Sequence, residues 1–212
     1  MSVAHGRFVV LEGGDGCGKS TQARALARRL EAAGHSVVLT FEPGATTVGR
    51  AIRSVVLDGA DAVEPRAEAL LMAADRAQHV SEVIRPALDR GDWVVSDRFT
   101  PSSLAYQGTA RGLGVAEIAQ LSAWAADGLA PDLVVVLDVD DETAEARRAA
   151  ERGRESDRME REHRAFHAGV RHAYRHLAAS HGWTVVDGSG TPEEVEAAVW
   201  SEVERLLAPG AR

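Results

Sequence analysis

The chain has 212 residues, 45% hydrophobic and 26% charged, which suits one well-cored globular domain rather than a disordered or fibrous protein. A formal net charge of −8 argues against a general nucleic-acid surface, so bound anions must be held by local groups. One cysteine, Cys17, excludes an internal disulfide, and apolar runs such as 133–137 fall far below the roughly 20 residues of a membrane span.

In chain order, the valine-rich segments 7–12, 36–41, 92–97, 132–139 and 183–187 read as strands covered on both faces, as in a parallel sheet. The first strand begins with no cationic, apolar and cleavable segment before it, so a cytoplasmic protein without a membrane partner is expected. After that strand, Ala23, Leu26, Ala27, Leu30 and Ala33 recur on one helical face, and Gly34 supplies a stop. A long helix over 65–90 carries Pro86 late in it, and further helices are expected over 115–127, 141–152, 159–181 and 192–207. Alternating strands and helices imply a single three-layer α/β/α domain over 1–212 with a five-stranded parallel sheet and right-handed crossovers.

Gly13, four residues, then Gly18, Lys19 and Ser20 match GxxxxGK[ST] between a predicted strand and a predicted helix, the context that a P-loop requires. Backbone N–H groups from Gly13, Gly14, Asp15, Gly16, Cys17, Gly18, Lys19, Ser20 and Thr21 would converge on the phosphates of a nucleotide such as ATP, and the Ser20 hydroxyl would face Mg²⁺. Lys19 is the only lysine among 24 basic residues. A compact ammonium reaches between phosphates where a planar guanidinium does not fit.

A GTPase would carry an Asn-Lys-x-Asp signature, and the chain contains no asparagine; the sequence DGSG at 187–190 follows the last strand and reads as a turn. A small-molecule kinase fits the length better, with its acceptor at the carboxyl ends of the strands. There, Asp97 is placed to hold magnesium and Arg98 to aim its donors at an acceptor phosphate. A catalytically silent nucleotide-binding module is the competing reading.

The pieces EGGDGCGKST, EPGATTVGRAIR (42–53), AEALLMAADRAQHV (67–80), DRFTPSSLAYQG (97–108), PDLVVVLDV (131–139) and RGRESDRME (152–160) together resemble the thymidylate kinase family, the bacterial dTMP kinases. The resemblance implies a P-loop nucleoside monophosphate kinase fold with a helical lid, here about 148–160, and transfer of the γ-phosphoryl group of MgATP to dTMP in a homodimer. It implies that Arg98 holds the acceptor phosphate, Asp15 meets the sugar 3′-hydroxyl and Tyr106 crowds the place of a ribose 2′-hydroxyl. Arg76, Ser103 and Gln107 would address the polar edge of the base; Glu42 and Pro43 belong to the loop over the acceptor, with Arg53 on the same segment.

Two departures stand out. Phe41 replaces the arginine of the family's Arg-Glu-Pro-Gly-Gly, and Met72 stands where an aromatic residue commonly stacks on thymine, which keeps dUMP, a 5-modified dUMP and dCMP open as acceptors. The P-loop also lacks the arginine that some members place there, so the lid should supply a catalytic one, Arg154 or Arg158. His163 with His167, and His172 with His176, are expected at solvated helix positions.

Overall fold

The computed structural model describes residues 6–58, 62–150, 158, 162 and 164–207. Five parallel strands, β1 (Phe8–Glu12), β2 (Val37–Phe41), β3 (Trp93–Asp97), β4 (Leu133–Asp138) and β5 (Thr184–Asp187), lie in the order β2-β3-β1-β4-β5. Each strand sits within a residue or two of the sequence-predicted segment, because short valine-rich runs suit a pleated, buried surface. β1 is buried throughout, and β3 and β4 everywhere but at their ends. At the edges, Leu39 of β2 and Val185 of β5 are nearly half exposed, since an edge strand has a paired neighbour on one side only.

Alternation divides β1 between the two layers. Val9 and Leu11 pack under α1 (Lys19–Ala32) and α9 (Pro192–Leu207). Phe8 and Val10 face the opposite layer with Ile84 and Phe99. Ala23, Leu26, Ala27 and Leu30 of α1 are buried as their spacing requires, but Ala33 is exposed and only caps the helix. The long helix is α3 (Pro65–His79), a wide π-type turn Val80–Ile84, and α4 (Arg85–Asp89). That wide turn lies where Pro86 removes a backbone donor and crowds the preceding turn.

Two helical segments were not visible in the pattern: α2 (Thr47–Arg53), running on as Ser54–Asp58, and α5 (Thr100–Ser103), running on as Leu104–Ala110. The other helices are α6 (Val115–Ala125), α7 (Asp141–Ala150) and α8 (Arg164–His181). On α8 the expectation of solvated histidines holds for His172 and His176 but fails for His167, which is 6% exposed and packs on Phe166. His163 lies outside the described residues.

Register fixes where the loops meet. Leu11 of β1 and Phe41 of β2 both pair with Asp97 of β3, and the ladder continues as Glu42 N donates to Asp97 O (3.0 Å) and Arg98 N to Leu11 O (3.0 Å). The three loops that follow these strands therefore start at one level, at the carboxyl edge of the sheet. Leu30 is fully buried in the core beneath α1, so Leu30→Ala should lower the free energy of unfolding by about 2–5 kcal/mol in urea titrations.

Candidate active site

The P-loop needs its glycines where the backbone is crowded. Gly13 has φ 132° and a Cβ there would stand 2.4 Å from Leu137 O; Gly16 has φ 83° and its Cβ would stand 2.4 Å from Ala144 O. Asp15 to Thr21 line a cavity of about 1090 Å³ at the sheet edge. The Lys19 ammonium is buried, donating to Gly14 O at 2.8 Å with Cys17 Sγ at 3.7 Å. Ser20 Oγ donates to Asp97 Oδ2. Asp97 Oδ1 is buried with no protein partner among the described residues.

Beside the P-loop, Arg98 adopts φ 76°, the left-handed region that non-glycine residues rarely enter and that marks local strain. Glu12 holds this turn. Its fully buried carboxylate accepts from Phe99 N (2.8 Å), Ser102 Oγ (2.7 Å), Ser102 N (3.3 Å) and Tyr174 Oη (2.8 Å). Burial raises the Glu12 carboxyl above its ordinary range, although the Arg98 charge and these donors pull the other way.

Arg98 reaches back to the P-loop. It pairs with Asp15 and also donates to Ser102 Oγ (3.0 Å) and Tyr106 Oη (3.3 Å). Tyr106 Oη in turn donates to Asp15 Oδ2 at 3.1 Å. Burial opposes ionisation of Asp15, but the charges of Arg98 and Lys19 outweigh it and hold the carboxyl below the usual range. Burial likewise pushes the Tyr106 phenol up, so it stays a neutral donor.

The loop after β2 closes a third side. Glu42, whose bond to Pro43 is cis, accepts from Arg76 Nε (3.0 Å) and faces His79 Nδ1 (3.0 Å). Arg76 also donates to Ser103 Oγ and Phe99 O, both at 3.1 Å, and Arg53 donates to Pro43 O at 2.9 Å. Phe41, Met72, Ser103 and Gln107 line the same cavity.

Among the sequence-predicted arginines, Arg154 lies outside the described residues. Arg158 does not line the cavity; it pairs with Glu68 and donates to Val56 O (2.7 Å), while its backbone N–H donates to Leu57 O (2.9 Å). Sequence reasoning passed over two others. Arg148 donates to Asp15 O at 3.1 Å, and Arg147 donates to Gly188 O at 2.8 Å and Gly190 O at 3.2 Å. Both line the cavity together with Gly188 and Gly190, so the DGSG turn is also a wall. Both fall in the predicted helix 141–152, just upstream of the segment RGRESDRME that carries the expected lid arginines.

One cleft in which a phosphate loop meets a strand-end carboxylate and guanidinium defines a P-loop nucleotide phosphotransferase. Comparison with known proteins narrows the class. The sequence profile described as "Thymidylate kinase" matches residues 11–199. The "Thymidylate kinase" of Leifsonia xyli subsp. xyli is 53% identical over 195 residues, 92% of each chain. That of Clavibacter michiganensis subsp. michiganensis is 50% identical over 208 residues (97% of this chain, 98% of the relative), and that of Deinococcus radiodurans 45% over 203 residues (95% and 98%). The chain belongs to the thymidylate kinase family.

Asp75 gives the site a pH dependence. Its Oδ1 accepts from Gly44 N at 3.0 Å, and burial, with Glu42 beside it, raises the carboxyl to about 6 against the pull of Gly44 N, His79 and Arg76. The folded protein thus binds this proton more tightly than the unfolded chain does. The contribution is fully present below the unfolded carboxyl value and is lost as pH rises through about 6. Urea unfolding should show Asp75→Asn gaining stability relative to the unaltered protein as pH rises from about 4 to about 7, with no further gain above that. A flat or opposite difference would contradict the assignment.

Proposed function

We propose that the protein transfers the γ-phosphoryl group of ATP to dTMP, giving ADP and dTDP. The observation that carries this reading is the contact between Arg98 at the end of β3 and Asp15 in the P-loop. A guanidinium able to hold an acceptor phosphate thereby stands directly against the loop suited to the donor. On this reading Asp15 takes the sugar 3′-hydroxyl and Tyr106 crowds a 2′-hydroxyl. Arg76, Ser103 and Gln107 face the base, with Met72 packing against its ring.

The acceptor needs no general base, because a phosphate monoester with a second pKa near 6 is largely dianionic at neutral pH. Catalysis is then alignment of two anions and neutralisation of charge on the transferred group. Lys19 supplies a point charge at the donor phosphates once it leaves Gly14 O. Arg147 and Arg148 bring two guanidinium groups to the same end, and Arg154 is the lid residue that would join them. Arg158 would have to leave Glu68 to take part.

The oxygen set at the donor end fits magnesium, a hard cation commonly held through few carboxylates and the substrate phosphates. Asp97 Oδ1 is a buried acceptor without a protein partner, and Ser20 Oγ lies against the same carboxylate. When bound, magnesium would neutralise charge on the donor phosphates. A cytoplasmic homodimer completes the proposal. Leu70 of α3 at 60% exposure and Trp124 of α6 at 81% support association through that side, and sedimentation at micromolar concentration would test it. No helix among the described residues is long and apolar enough to cross a membrane.

A coupled ADP-release assay across dTMP, dUMP and dCMP should show the highest kcat/KM for dTMP; a preference for another acceptor, or ATP binding without acceptor-dependent turnover, overturns the reading. Lys19→Ala should lower kcat by at least about 10²-fold, the scale for losing one preorganised donor, while urea unfolding remains cooperative.

A further inference from the structure

Glu68, on the buried side of α3, has no part in the chemistry above. Its carboxylate is fully buried. It accepts from Gln107 Nε2 at 2.9 Å, from Arg111 at 3.3 and 3.4 Å, and from Arg158. A carboxylate between two guanidinium groups accepts hydrogen bonds and donates none, so Gln107 must turn its NH₂ toward Glu68. An amide is planar, with oxygen and nitrogen on opposite sides of its carbon. Its carbonyl oxygen therefore points away from Glu68, and Gln107 lines the cavity. The bond to Glu68 is the one hydrogen bond of this side chain among the described residues.

Ser103 and Gln107 are one helical turn apart on the segment that begins with α5, and Ser103 carries the Arg76 guanidinium on its hydroxyl. Arg76, Ser103 and Gln107 all line the cavity, so its wall combines a guanidinium donor with a carbonyl acceptor held in one orientation. Thymine and uracil present an O4 acceptor beside an N3–H donor, whereas cytosine presents an N4 donor beside an N3 acceptor. Only the 4-oxo pattern complements the wall as it is held.

We propose that Glu68 is a positioning residue that sets acceptor specificity: by fixing the Gln107 amide it keeps the carbonyl oxygen toward the pocket and selects 4-oxo over 4-amino pyrimidines. The proposal rests on the reading that the Arg76 end of the cavity takes the acceptor base. Without Glu68 the amide turns about its last torsion and offers its NH₂ to a cytosine N3.

Two variants test this. Glu68→Gln keeps the size but accepts the Gln107 amide either way round; Glu68→Asp keeps the charge for Arg111 and Arg158 but withdraws the carboxylate by one methylene. In both, the ratio of kcat/KM for dTMP to that for dCMP should fall at least about tenfold, because the unaltered site rejects cytosine through mismatched polar groups. A purely structural Glu68 would lower both values by a common factor. An unchanged ratio in either folded variant overturns the proposal. If neither folds, nitrogen-15 NMR of the unaltered protein decides: the Gln107 side-chain amide protons should exchange slowly with solvent before nucleotide is added, and rapid exchange overturns it. An unaltered enzyme that prefers dCMP would instead sink the acceptor reading itself.

Discussion

Everything at the carboxyl edge of the sheet depends on one buried carboxylate. Glu12 closes β1 on the face that Phe8 and Val10 share, immediately before the P-loop begins. Its bonds from Phe99 N, Ser102 Oγ and Tyr174 Oη tie together the end of β1, the turn after β3 and helix α8. That turn contains Arg98 in its left-handed conformation. A residue in so sparsely populated a region persists only where its surroundings over-determine it, and Glu12 supplies that determination. The same carboxylate therefore fixes the P-loop from below and aims the guanidinium that faces it.

The parts legible in the sequence were those set by local chemistry. GxxxxGKS is written in consecutive residues, and its glycines answer to crowding by Leu137 O and Ala144 O. Valine-rich runs gave all five strands, and the spacing of Leu26 and Leu30 gave α1. Less legible was what tertiary contact decides. The segment from α5 to Ala110 buries Leu104, Ala105, Tyr106 and Gln107 in a row, so no 3.6-residue apolar period marks it as helical. His167 sits on α8 between Phe166 and Ala168 and is buried there, although an imidazole on a charge-dense helix reads as a solvated side chain. Arg147 and Arg148 were hidden by company: one charge-dense run holds arginines that reach the cavity and others that do not.

The charge pattern follows from the same separation of local and global. A chain with net charge −8 repels nucleotides at long range, so its cations act at contact distance, where screening by salt is weak. Arginine serves wherever a fork of donors must be held by carboxylates or carbonyls, as Arg76 is by Glu42 and Arg147 by Gly188. Lysine appears once, inside a loop too narrow for a guanidinium. Asp15 stays ionised in this setting because Arg98 and Lys19 overcome its burial, and it thereby keeps Arg98 in place.

Glu68, Asp75, Arg76 and His79 form a buried stripe on α3 where an ordinary amphipathic helix would carry leucine and valine. Buried polar groups are tolerated only when they are partnered. Here Glu68 receives Gln107 and Arg111, Arg76 binds Glu42 and Ser103, and His79 bridges Glu42 and Thr40. Asp75 Oδ2, which has no partner among the described residues, belongs to a carboxyl that burial raises toward neutrality. An apolar stripe would pack as well but would leave the loop at 42–46 and the Gln107 amide free to reorient. Satisfied networks have one arrangement in which every donor finds its acceptor. For a reaction whose rate comes from holding two anions in line rather than from moving a proton, a wall with one arrangement is itself the catalytic investment.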